Sequence, residues 1–500
     1  MFQNSELVIS ISSRMKRLFS VKGTDHWVLP LLFIISFSFF SFFATESPNS
    51  DMYLIANTAK VIANSNFQVF YVVPYPIFQD VRVININDHA YSFYPKALEL
   101  FLGLVARYLT SQLAGMLILF TSSLMFLLRV MKIEIFRKYI RHFFLILFSA
   151  IVFLYFDGLA IDTQFGAIAY FQRLVASLSV VVFFKILCDL NVSRRHAFFL
   201  SMIILFGSFL GYYSKPYHRE IYYILPILLS IHFLFQKKYL YMNMMNGLLV
   251  LVKYQYALLI LPLHMLYIFF SRSHRDKKWI IDVMTVPIFF AAFFILNKLF
   301  MYMVFGNFFQ EESGYTYHWM GFGDLVKSIW VSFVGLTVSS GKGLIFYFPL
   351  CILFIRYARF PKKFRLEYGF LCVVAVMFFI FHLVLTYYGG TWTGGWCWGP
   401  RYLLLEVFLI TILLSYSIRT INKPILVFVT AIGFFMNIPS FFLNAHSDLY
   451  YLLSNENVSF TQIQFDPDYS PLYTNYWLLN QSFGSDLVVP NIKSDTFLLR

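Results

Sequence analysis

The stretch WVLPLLFIISFSFFSFFATESPNSD, residues 27–51, decides the class of this chain. Trp27 to Ala44 carries no charge and, as a helix rising 1.5 Å per residue, reaches about 27 Å, close to the hydrocarbon thickness of a bilayer. Arg14, Lys16, Arg17 and Lys22 precede it, and its length exceeds the apolar core of a signal peptide, so it reads as an uncleaved first span with a cytoplasmic N-terminus. Polar sequence then runs from Glu46 to Lys96 and holds Asp51, Asp80, Asp88, His89 and Lys96, far more than a connector between spans needs.

The rest of the chain repeats the apolar signal. Hydrophobic residues make up 59% of 500 and charged residues 13%, which separates the chain from soluble globular domains. Further apolar runs centre near residues 122, 150, 177, 205, 227, 247, 263, 292, 350, 378, 410 and 432, so the expected fold is an all-α polytopic membrane protein of about 13 transmembrane helices. The net charge of +14 would suggest nucleic acid in a soluble protein. Here the basic residues fall in alternate connections: Lys132 to Arg141, Arg194 and Arg195, Lys237 and Lys238, Arg272 to Lys278, Arg356 to Arg365, and Arg419 with Lys423. That is the pattern of loops retained on the cytoplasmic side, and no nucleic-acid partner is expected.

With those loops inside, the external face receives residues 46–110, the Asp157 to Gly166 link, Gly306 to Lys342, Tyr388 to Arg401, and a C-terminal tail over 442–500. Residues 1–26 form a cytoplasmic N-terminus and 27–441 the membrane module. Within 46–110, the stretch Lys96 to Thr110 reads as an interfacial helix or the start of a long tilted span. The runs near 247 and 263 are interrupted by Lys253 and Tyr254 and read as broken helices beside a cavity. Cys188, Cys351, Cys372 and Cys397 show neither CxxC spacing nor a disulfide framework.

Three external clusters carry chemistry. Asp51 follows the first span, where it either caps a helix starting at Met52 or serves as a base for an incoming hydroxyl. His89, Tyr91, Tyr94, Pro95 and Lys96 either anchor the chain at the interface or present a cation and hydroxyls to a lipid-linked phosphate. GGTWTGGWCWGPRY, residues 389–402, is either an aromatic belt with tight turns or a surface for a sugar or phosphate built on Trp398 and Arg401. Glu406, just inside the next span, pairs with a buried cation, Arg401 being the rival partner to any phosphate. Arg173 stands out as a charge inside a span. Asp162 is either a second acidic site residue or a solvated loop charge.

This arrangement resembles the GT-C class of membrane glycosyltransferases, which includes protein mannosyltransferases, aminoarabinose transferases and bacterial envelope transferases. The resemblance covers most of the chain as architecture and rests on three strings as motif: YSFYPK at 91–96, GKGLIFYFPL at 341–350, and GGWCWGPRYL at 394–403. It implies a sugar transfer from a polyprenyl-phosphate donor to a glycan, lipid or protein acceptor, on the extracytoplasmic face of a bacterial inner or plasma membrane. In that resemblance Asp51 matches the catalytic aspartate and Lys96 a lysine that holds the donor phosphate, with His89, Tyr91, Tyr94, Arg401 and Trp398 as further donor contacts. The second acidic residue that often follows the first in this class is missing next to Asp51, so no metal and no cofactor are expected. A transporter or lipid flippase is the competing reading, favoured by intramembrane charges and disfavoured by the absence of repeat symmetry.

Overall fold

The computed structural model describes residues 25–42, 83–86, 89–92, 163–215, 220–271, 278–305, 322–359, 361–389 and 398–442, together with 463, 465–467 and 470–472. Within them the chain is dominated by apolar helices. They are α1 (Asp25–Phe42), α2 (Thr163–Asp189), α3 (Arg194–Gly207), α4 (Leu210–Tyr213), α5 (Glu220–Phe235), α6 (Tyr239–Ser271) and α7 (Lys278–Phe305). Then come α8 (Phe322–Val338), α9 (Leu344–Tyr347), α10 (Leu350–Tyr357), α11 (Arg365–Gly389), α12 (Leu404–Ser415) and α13 (Lys423–Phe442). Five of these are long and apolar enough to cross a membrane: Phe171–Asp189, Tyr239–Ser271, Ile280–Phe300, Lys362–Val384 and Lys423–Phe441. Their surroundings differ. Phe171–Asp189 is 67% buried and forms the centre of the bundle, against α1, α3 and α5, whereas Ile280–Phe300 is 11% buried and presents an apolar outer face suited to lipid.

Helix α6 is not one straight rod. Lys253 has extended backbone angles (φ −159°, ψ 87°). Asn246 and His264 would stand about 27 Å apart along a straight helix; instead the Asn246 amide and His264 Nδ1 lie 3.1 Å apart. The two arms therefore fold back on each other at Lys253. The second arm runs parallel to α5, with Tyr223 on Tyr256 at 4.5 Å and Phe235 on Tyr267 at 5.8 Å, and antiparallel to α11, with His382 near Tyr256 and Phe370 near His264. Helix α7 then runs alongside the first arm in the same direction. The Asn243 amide donates to Thr285 Oγ1 at 3.0 Å, Tyr254 meets Phe294 at 5.9 Å, and a Cβ on Gly247 would come within 2.4 Å of the Phe293 ring. The two apolar runs near 247 and 263 are thus a helical hairpin, and its two ends, after Lys237–Lys238 and before Lys278, lie at one end of the bundle.

Two segments differ from the sequence reading. The region 306–342, read as an external connection, contains α8, whose Phe333 packs on Phe379 of α11 at 6.0 Å while Trp330 is 64% exposed. Its apolar stretch, Leu325–Val338, is interrupted by Lys327 and falls short of a full span, which hides it from a hydropathy count. Within 46–110, the interfacial helix expected over Lys96–Thr110 lies outside the described residues, while upstream of it β1 (Val83–Ile86) pairs antiparallel with β2 (His89–Ser92), Ile84 opposite Tyr91 and Ile86 opposite His89, a pairing the sequence reading did not include.

Candidate functional site

The residues singled out in the sequence divide into three groups. Asp51, Tyr94, Lys96 and Asp162 lie outside the described residues. His89 and Tyr91 belong to β2. Trp398, Arg401 and Glu406 sit together at one end of the bundle, where the chain leaves a short turn at Gly399–Pro400, makes a 3₁₀ turn over Arg401–Leu403 and enters α12.

Trp398 is a packing residue. It is fully buried, its indole N–H donates to Asn437 Oδ1 at 3.0 Å, and its carbonyl accepts from the Tyr213 hydroxyl at 2.9 Å. Its ring stands edge-on to Tyr347 at 5.4 Å, and the Asn437 amide closes the circuit on the Tyr347 carbonyl at 2.9 Å. Gly399 has φ +63° and a Cβ there would press the Tyr347 ring at 2.9 Å, so glycine is required by both backbone and space. The string 341–350 and the described part of the other, from Trp398 on, therefore meet in one knot. The expectation that Trp398 offers a face to a sugar is corrected: with its ring enclosed and its N–H committed, it supports the turn that carries Arg401.

Arg401 is buried and its Nε donates to Glu220 Oε1, from the first turn of α5. This corrects the pairing expected with Glu406; a helix start 181 residues earlier supplies the carboxylate instead. Lys215, in the connection before Glu220, donates to the Ser440 and Phe441 carbonyls at 2.7 and 2.9 Å and so caps the end of α13. Gln172 on α2 ties this connection down through the Tyr213 carbonyl at 2.9 Å, beside the buried Arg173.

Inward of Arg401, the tip of the α6 hairpin meets α11 and α12. Lys253 Nζ donates to the Tyr256 hydroxyl oxygen at 3.0 Å and lies over the rings of Tyr256 (4.2 Å), Tyr223 (5.3 Å) and Tyr402 (5.9 Å), an aromatic cage for its ammonium. The Arg401 guanidinium lies 6.0 Å from the same Tyr402 ring, which stacks on His382 at 5.3 Å. Tyr256 Oη is 2.8 Å from His382 Nε2, and His382 Nδ1 faces Glu406 Oε1 across 4.0 Å. Glu406 is buried, and among the described residues neither of its oxygens has a hydrogen-bond partner.

This end of the bundle thus gathers two cations, two carboxylates, three tyrosines and an imidazole in a low-dielectric setting, where each charge acts far more strongly than in water. Such a set can hold an anionic group against Lys253 and Arg401 and exchange hydrogen bonds with hydroxyls at Glu406. Tyr256 and His382 escaped the sequence reading because each is a single polar residue inside an apolar run; the available signal was the cost of burying such groups in lipid. Compared with protein-family models, with curated proteins and with solved structures, the chain matches none.

Proposed function

We propose that this chain is a membrane glycosyltransferase that moves a sugar from a polyprenyl-phosphate donor to an acceptor hydroxyl on the extracytoplasmic face of the membrane. The supporting observation is the gathering, at one end of the bundle, of Lys253 from the tip of the α6 hairpin with Arg401 and Tyr402 from the GPRY string. By the charge alternation of the loops, that end is the external one. Nucleotide sugars are not the natural donors there, so the anionic group held by these cations is assigned to a lipid-linked phosphate. Asp51 accepts the proton of the acceptor hydroxyl as its oxygen attacks the anomeric carbon with inversion; the bond to the phosphate breaks, and Lys96 with Arg401 stabilises the departing anion. The roles of Asp51 and Lys96 rest on the resemblance, as do those of His89, Tyr91 and Tyr94; Asp162 stays a secondary acidic candidate.

The test is sugar transfer by the purified chain from a radiolabelled polyprenyl-phosphate sugar, read beside mass spectrometry of envelope glycans from a deletion strain. Asp51→Asn is expected to lower turnover by about 10² to 10⁴ with the fold intact, the usual contribution of a positioned base. Near wild-type transfer by that variant would remove Asp51 from the mechanism. One observation favours the transporter or flippase reading: α6 is a broken helix that meets buried charges at its tip, as in many substrate pathways. A chain that translocates the lipid-linked sugar while leaving the sugar–phosphate bond uncleaved would replace the transferase reading with that one.

A further inference from the structure

The tip of the α6 hairpin sets a proton order on the groups facing Glu406. The Lys253 ammonium has only donors, so the Tyr256 oxygen accepts from it; the arrangement that leaves no hydroxyl proton unused has Tyr256 donate to His382 Nε2. A neutral imidazole bonded in that way carries its proton on Nδ1. The Phe378 carbonyl one turn earlier reaches the ring only in poor geometry, so that among the described residues Nδ1 has no well-formed hydrogen bond. A buried N–H donor and a buried carboxyl whose oxygens have no hydrogen-bond partner among the described residues therefore face each other across 4.0 Å, too far for a direct bond. An atom at the ordinary distance of about 2.8 Å from each would see them about 90° apart, a comfortable angle for one oxygen bridging both.

The chemistry of that bridge is restrictive. The bridging group must accept from Nδ1–H and meet the Glu406 carboxyl as donor or acceptor. A metal ion or an ammonium cannot accept; a hydroxyl, of an alcohol or of water, serves both groups whichever way the carboxyl proton lies, and the cations beside the site favour a hydroxyl carried in on a phosphate-linked sugar. The second Glu406 oxygen can take a neighbouring hydroxyl, and the Tyr402 ring stacked on His382 holds the imidazole in plane. Arg401 lies 6.0 Å from that same Tyr402 ring and Lys253 5.9 Å, so a phosphate on these cations would carry its attached sugar next to Glu406.

We infer that Glu406 and His382 form the subsite that recognises hydroxyls of the donor sugar, with Tyr256 as a positioning residue that sets the imidazole tautomer. This rests on the donor assignment under Proposed function, and the two fail separately. The experiment measures binding of the full chain in nanodiscs to bare polyprenyl phosphate and to polyprenyl-phosphate glucose, mannose and arabinose. The wild type is expected to bind at least one glycosylated lipid about 10-fold or more tighter than the bare lipid, the scale of a buried hydrogen bond to a charged group. Glu406→Gln should bring that preference to within about 2-fold while leaving affinity for the bare lipid unchanged, and Tyr256→Phe should reduce it less. If Glu406→Gln does not fold, His382→Gln, which keeps an amide near the Nε2 position and deletes the Nδ1 donor, is expected to lose the preference in the same way. Tight binding of bare lipid with no preference for any sugar in the wild type overturns this subsite alone, as does a preference that survives Glu406→Gln, which would leave only a bound water between the two groups. Absence of binding to every lipid overturns the donor assignment and this subsite with it.

Discussion

The knot around Trp398 and the groups around Glu406 lie at the same end of the bundle, within a few residues of each other in sequence, and both are buried, yet they are built to opposite rules. In the knot, Trp398, Asn437, Tyr347 and Tyr213 spend their polar atoms on one another or on backbone carbonyls. At Glu406, among the described residues, neither carboxyl oxygen nor the facing His382 Nδ1 has a well-formed hydrogen bond. A buried polar group left unpartnered costs about 1–3 kcal/mol, more if charged, so a satisfied network adds rigidity while an unsatisfied one weakens the fold and gains only when something enters. The knot holds the turn at Gly399–Pro400, and the second set is held ready beside it.

That contrast predicts effects of opposite sign. Trp398→Ala empties a fully enclosed indole site and strands Asn437, and should lower stability by about 3–5 kcal/mol, read as thermal unfolding of the detergent-solubilised chain. Glu406→Leu replaces an unpartnered carboxyl with an apolar group of similar size, and without lipid should leave stability unchanged or raise it by about 1–2 kcal/mol while transfer is lost. A loss at Glu406→Leu as large as that at Trp398→Ala would erase the distinction between the two regions. The smallest effect is expected at the hairpin, where Asn246→Leu removes the amide that meets His264: hydrogen bonds between membrane helices average about 0.6 kcal/mol, so the unfolding midpoint should fall by only a degree or two. A larger drop would mean that the arms of α6 rely on that contact rather than on apolar packing against the helices around them.

The fold was legible to the extent that hydropathy carries it. Apolar runs marked the helices, and the basic clusters at Lys237–Lys238 and Arg272–Lys278 required two passes between them, which the hairpin at Lys253 supplies. The interruption by Lys253 and Tyr254 was the visible sign of that hairpin. Helix α8 was invisible because its apolar stretch is short, and the strand pairing at 83–92 because a polar tract with weak alternation carries little strand signal. Arg401 was marked by its string, but its partner was not: helical phase says which residues share a face and is silent on which helix lies opposite.

The sequence by itself determined that this chain is built of apolar helices suited to a membrane and that charges at Arg173, Arg401 and Glu406 demand an explanation, because hydrophobic length and the cost of a charge in lipid are properties of local composition. Only the tertiary structure decided that Arg401 answers to Glu220, that Trp398 is enclosed, and that Lys253, Tyr256 and His382 line up on Glu406. Those outcomes depend on contacts between residues up to 185 apart in the chain, set by packing that no local pattern encodes.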